Sequence, residues 1–176
     1  LKNINLMEKM KFVNVLLFVT LCCCCTVSYA QDKSVFSLNS DSEIVVKGVG
    51  QDGTKVLTVT AKGKKMEQAV EIAKRDAVAY CLFKGIKGSG STEETPAIIK
   101  NGITPENEDF FSSFLMLKDN KGRGGKYLRF VNKSGQPKTS KIKKGYMVSL
   151  DIQILYDDLK EYMIKEGYAK SLDFLF

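Results

Sequence analysis

Histidine is absent from this chain of 176 residues, and cysteine is scarce outside one short run. Four of the five cysteines are the consecutive Cys22 to Cys25, and Cys81 stands alone. Without histidine, Ser/His/Asp triads, Cys/His dyads and histidine-ligated zinc sites are excluded. Cys22 to Cys25 lack the spacing that wraps a tetrahedral metal site. Cys81 falls on the inward side of a helical pattern and reads as a small core hydrophobe. No catalytic, cofactor-binding or metal-ligating residue is assigned on these grounds, and no cofactor is expected.

Long apolar runs are missing too. The run from Phe12 to Cys25 is shorter than the ~20 residues that cross a bilayer as a helix. It follows Lys9 and Lys11 and leads into Thr26-Val-Ser-Tyr-Ala30, where Ser28 and Ala30 are the small residues of a cleavage site. This is the layout of a secretory signal peptide over 1–30, cut after Ala30, with translation starting at Met7 or Met10. Lipid attachment at one of Cys22 to Cys25 is disfavoured, because Leu21 or another cysteine stands where that processing needs a small residue. Residues 31–42 read as a loose lead-in and 43–176 as one domain, long enough to bury a core. The expected location is the periplasm or the outer membrane's surface.

What is present is a clear succession of periodicities. Residues 43–49 and 54–62 read as two strands, the second with Leu57, Val59 and Ala61 on one face. Between them, 50–53 is turn chemistry ending in Asp52-Gly53. The string 48–53 also fits G-x-G-x-x-G, but a strand rather than a phosphate-facing helix follows, so the hairpin reading is preferred. Residues 64–85 form the longest helix pattern, with Ala69, Ala73 and Ala77 as a ladder of small side chains on one face. Gly63 serves as its cap and Gly85 as its stop, and Glu71 is placed to pair with Arg75. Beyond Ala77 the pattern is apolar nearly all round, so that half is expected to be covered on more than one side.

Residues 86–100 read as a surface loop. A second helix starts at Thr104-Pro105, with Glu106, Glu108 and Asp109 at its positive end. Phe110, Phe111, Phe114 and Leu115 form its apolar face and read as core. A basic loop (118–126), a strand (127–132) and a second basic connector (133–144) follow. Tyr146, Val148, Leu150, Ile152 and Ile154 then alternate with polar residues, which predicts a half-buried strand. The last helix is capped by Asp157, faces inward with Leu159, Tyr162 and Met163, and stops at Gly167. The apolar residues 172–176 are expected to pack on the domain rather than on a partner. The order ββααββα predicts an α+β two-layer sandwich: a mainly antiparallel four-stranded sheet with helices on one face.

The net charge is +7, and most of the excess is local. Residues 118–144 hold ten lysines and arginines against Asp119 alone. Lys121, Arg123, Lys126, Arg129, Lys141, Lys143 and Lys144 are the candidate contacts for an anionic ligand such as a lipid headgroup, lipopolysaccharide or an acidic partner. Because two connectors share them, they are expected at opposite ends of the strand between. Solvated, solubilising loops are the plainer account of the same charges. Nucleic acid is disfavoured for an exported chain. Tyr127 and Phe130, flanking Arg129, fit a stacking platform or one buried and one exposed ring. Of the carboxylates, Asp157 and Asp158 read as helix-start residues, Glu93 and Glu94 as loop residues, and Asp76 as half of a solvent-facing ion pair. None reads as catalytic, and a carboxylate-based hydrolase is the least favoured function.

Gly48-x-Gly50 before the main helix, its Ala69/Ala73/Ala77 ladder, and the strand VSLDIQI running into a helix with Leu159 and Gly167 together resemble a known module. It is the small α/β module of bacterial surface lipoproteins and of flagellar outer-membrane-ring accessory proteins, matching over about 43–168. The signal ending Tyr29-Ala30-Gln31 resembles exported proteins of the Bacteroides group. The chain departs from the lipoproteins in lacking a well-placed lipid-attachment cysteine. The resemblance implies a non-enzymatic, envelope-associated module that binds a protein partner or assembles with itself; the alternative is a binder of anionic ligands through 118–144.

Overall fold

The computed structural model describes residues 41–49, 53–87, 94–119 and 121–170. The expected signal peptide, residues 31–40 of the lead-in, Gly50 to Asp52, Glu93 and the apolar residues 172–176 lie outside them. The elements are β1 (Glu43–Val49), β2 (Thr54–Gly63), α1 (Met66–Phe83), α2 (Glu108–Phe114), a 3-10 helix (Lys126–Phe130), β3 (Val131–Ile142), β4 (Gly145–Leu155) and α3 (Tyr156–Lys165). The four strands form one sheet in the order β1-β2-β4-β3, antiparallel throughout. Two hairpins are thus joined through β2 and β4, whose register runs from Thr54 opposite Leu155 to Gly63 opposite Tyr146. The fold is the α+β sandwich that the alternating patterns predict.

One face of the sheet is apolar because period-2 alternation sends every second side chain to the same side. Leu57, Val59 and Ala61 of β2 and Val148, Leu150, Ile152 and Ile154 of β4 are buried there. Ala69, Ala73 and Ala77 of α1 are all 0% exposed. Their small side chains let the helix lie close on the two central strands. The entry into α1 is equally tight: a Cβ on Gly63 would stand 2.6 Å from the backbone nitrogen of Ala69. The second half of α1 is enclosed, with Val78, Ala79, Cys81 and Leu82 buried. Residues 95–99 cover part of it, where the Ile99 N–H donates to the Leu82 carbonyl at 2.8 Å. Phe83 meets Phe111 of α2 edge-on at 5.0 Å, and rings from Phe110, Phe114, Phe130, Tyr162 and Tyr168 continue the cluster. The aromatic stripe of α2 is core.

Several local readings are corrected. Residues 126–130 are a 3-10 helix rather than the start of a strand. A strand would put Arg129 on the same side as Tyr127. Three residues per turn instead turns Tyr127 and Phe130 inward together and leaves Arg129 outside. Both rings are buried, so neither forms a stacking platform. The expected connector 133–144 is strand for most of its length, with an irregularity between Ser134 and Lys138 and the turn at Lys143 and Lys144. It carries no hydrophobic alternation: Lys133, Thr139 and Lys141, on its inner side, are exposed. α2 begins at Glu108 because Asn107 ties 102–107 into turns: its Oδ1 accepts from the Thr104 N–H and its Nδ2 donates to the Gly102 carbonyl. α1 starts after Lys65, not Gly63, and α3 follows β4 directly, so Asp157 lies in its first turn rather than at its cap.

Candidate functional site

The seven candidate cations fall into two groups at opposite ends of β3. Opposite β3, β4 runs from Ile154 to Gly145, a span of about 30 Å at ~3.4 Å per residue. Lys121, Arg123, Lys126 and Arg129 lie before β3; Lys141, Lys143 and Lys144 lie at its end and in the turn that follows.

In the first group the Arg123 charge is neutralised within the fold. The Arg123 guanidinium grips Asp119 at 2.7 and 2.8 Å, and Asp119 Oδ1 accepts from the Lys121 and Arg123 N–H groups, both at 2.9 Å. Those bonds, led by the Arg123 N–H, hold the Asp119 carboxyl below the usual carboxylate range. Lys126 Nζ donates to the Tyr162 hydroxyl at 3.2 Å and lies 5.8 Å from that ring's centroid. Lys118 reaches Glu71 at 3.6 Å.

Three further lysines join the second group. Pairing of β2 with β4 brings Lys62 opposite Met147 and Gly63 opposite Tyr146, while Lys141 pairs with Tyr146 from the other side. Lys64 and Lys65 carry the chain from β2 into α1, and a Cβ on Gly145 would lie 3.2 Å from Lys64 Cα. The β3–β4 turn and the β2–α1 turn therefore form one end of the molecule. Lys62, Lys64, Lys65, Lys141, Lys143 and Lys144 are all exposed there, and none makes an ion pair with a described residue. The N-terminus of α1 opens at the same end without a side-chain cap, adding the positive pole of the helix dipole. Glu67, in the first turn, is the acid that opposes them. Spacing in the linear chain does not join Lys62, Lys64 and Lys65 to Lys141, because they lie some eighty residues apart; the signal is the lysine run directly after β2, once β2 and β4 are neighbours.

Two polar clusters complete the survey. Asp76, expected on a solvent-facing ion pair, is 2% exposed. It accepts from Ser42 Oγ at 2.6 Å and from Arg75 Nε at 2.9 Å, so the lead-in to β1 is tied to α1. Arg75 is thus engaged with Asp76, while Glu71 pairs with Lys74 at 3.1 Å and accepts from the Tyr127 hydroxyl at 3.5 Å. Burial, then Glu71, pushes the Tyr127 phenol up. On the uncovered face of the sheet, Asp151 accepts from Lys47 and from Thr58, both at 2.7 Å, and these bonds lower its carboxyl. Thr60 and Ser149 bond at 3.1 Å beside them. Asp157 and Asp158 are exposed in the first turn of α3. Among the described residues, no group of three or more Asp, Glu or Cys is placed to hold a metal ion, and no helix is long and apolar enough to cross a membrane.

Compared with models of protein families, with curated proteins and with solved structures, the chain matches none.

Proposed function

We propose that this chain is an exported, non-catalytic module of the cell envelope that binds an anionic surface, lipid headgroup or lipopolysaccharide, through the lysine-rich end of its sheet. One observation carries the reading: six exposed lysines without ion-pair partners among the described residues lie at one end of the sheet, the end at which α1 starts without a side-chain cap. Like charges gathered without internal partners repel one another, and a phosphate-bearing surface relieves that repulsion. Export is supported by the layout of residues 1–30. Flotation with phosphatidylglycerol vesicles tests the reading. The protein is expected to float at low salt and to be released as the Debye length shortens. Failure to float on anionic vesicles, or on lipopolysaccharide, at low salt would end it.

A second reading, association with a protein partner or a second copy, is favoured by the outer edge of β1, which pairs with no described strand. A carboxylate-based hydrolase finds less support: Asp76 and Glu71 are engaged in ion pairs within the fold, and Asp157 and Asp158 sit apart from them on α3.

A further inference from the structure

We infer that the lysine-rich end enters the headgroup layer of a lipid bilayer, with Met66 as the side chain that reaches the acyl boundary. The inference rests on the proposed function and narrows its anionic surface to a membrane. Met66 opens α1 directly after Lys64 and Lys65 and is 40% exposed. One exposed methionine alone is ordinary. This one stands at the end where apolar side chains and lysines are interleaved. Met147 pairs with Lys62, and Tyr146 pairs with Lys141. Ile142 ends β3 immediately before Lys143 and Lys144. Met147, Tyr146 and Ile142 are all half-buried, and the lysines are exposed.

Period-2 alternation sends Tyr146 to the face that carries α1 and Met147 to the opposite face. Residues paired across antiparallel strands share a face, so each side of the sheet sets an apolar group beside a lysine: Met147 beside Lys62, Tyr146 beside Lys141. A bilayer surface answers both halves of that pattern. Lysine stems lie along apolar material while their ammonium groups reach phosphates. Tyrosine settles at headgroup level, with its ring in the apolar side and its hydroxyl in the wet side. Methionine is apolar and flexible enough to enter the loosely packed acyl boundary. A phosphate polymer or an acidic polysaccharide in solution answers the lysines alone and leaves the apolar groups in water. Met116 provides a comparison within the chain. It is 45% exposed and also has a lysine nearby, Lys118, but its carbonyl accepts from the Gly125 N–H, at the opposite end of β3.

The chain contains no tryptophan, so one placed at either methionine reports alone. Phosphatidylglycerol vesicles containing phosphatidylcholine brominated on its acyl chains are the probe. Met66→Trp is expected to float with them, to shift its emission to the blue and to lose roughly half of it to bromine, as an interfacial side chain at acyl depth does. Met116→Trp is expected to float equally and to keep its emission. A bound Met66→Trp that is not quenched, or quenching of Met116→Trp in its place, overturns the inference. Met66→Ser tests the same side chain without adding an aromatic ring. It is expected to lower retention on phosphatidylglycerol vesicles about fivefold while leaving retention on immobilised polyphosphate unchanged. Retention on vesicles equal to that of the wild type overturns the inference as well. Flotation with an unquenched Met66→Trp removes insertion and keeps the anionic reading; failure of every protein to float at low salt removes both.

Discussion

Cys81 is fully buried on α1, and burial pushes its thiol up from 9.0 to about 12, with Lys55 opposing weakly. Almost no thiolate exists at neutral pH, so Cys81 is expected to resist maleimide in the native protein and to react on unfolding; peptide mapping after labelling reads this site separately from Cys22 to Cys25. The same shift sets a sign. Below pH 9.0 both folded and unfolded thiols are protonated; above it the unfolded chain ionises first, so stability is full below that pH and is lost as pH rises toward 12. Tyr156, raised from 10.0 to about 12 mainly by burial, steepens the fall. Cys81→Ala is expected to flatten the early part of this alkaline limb in urea titrations. Asp76 teaches the opposite lesson about legibility. Its neighbours in sequence suggested a surface pair, but Ser42, 34 residues away, and the close packing of α1 bury it. Asp76→Ala removes the acceptor for both Ser42 Oγ and Arg75 Nε and is expected to cost about 1–3 kcal/mol in the same urea titrations.

At the scale of elements, what sequence periodicity reveals is contact with a covering layer. Ala69, Ala73 and Ala77 were legible because they face the sheet, and β2 and β4 because one side of each is buried. Ala73→Leu pushes α1 off the central strands and is expected to destabilise by about 1–3 kcal/mol, read as a lower midpoint in thermal melting. β3 was not legible for the same reason reversed. Thr139 and Lys141 pair with Val148 and Tyr146 on the inner side yet are exposed, so no apolar alternation marks the strand and backbone pairing with β4 alone defines it. The 3-10 helix is not legible in the sequence because Tyr127 and Phe130 lie three apart, a spacing that a strand splits between two faces. The first hairpin was legible in its Asp52-Gly53 turn chemistry, and the helical layer in which faces are apolar.

For the whole molecule, the basic character of the chain was plain in its composition, but its place of action was not. Lys121, Arg123 and Lys126 stand with Lys141, Lys143 and Lys144 in the linear count, yet the Arg123 guanidinium binds Asp119 and Lys126 reaches Tyr162, whereas Lys141, Lys143 and Lys144 join Lys62, Lys64 and Lys65 at the far end. Only the pairing of β2 with β4 creates that end. A lysine near an anionic surface contributes about 1 kcal/mol, so the six together dominate any such attachment. Flotation of two multiply substituted proteins on phosphatidylglycerol vesicles at low salt is the most direct measurement. Replacing Lys62, Lys64, Lys65, Lys141, Lys143 and Lys144 by glutamine is predicted to lower retention more than tenfold, while replacing Lys121, Lys126 and Arg129 leaves most of it. Retention that survives the first set, or that falls instead with the second, would contradict the account.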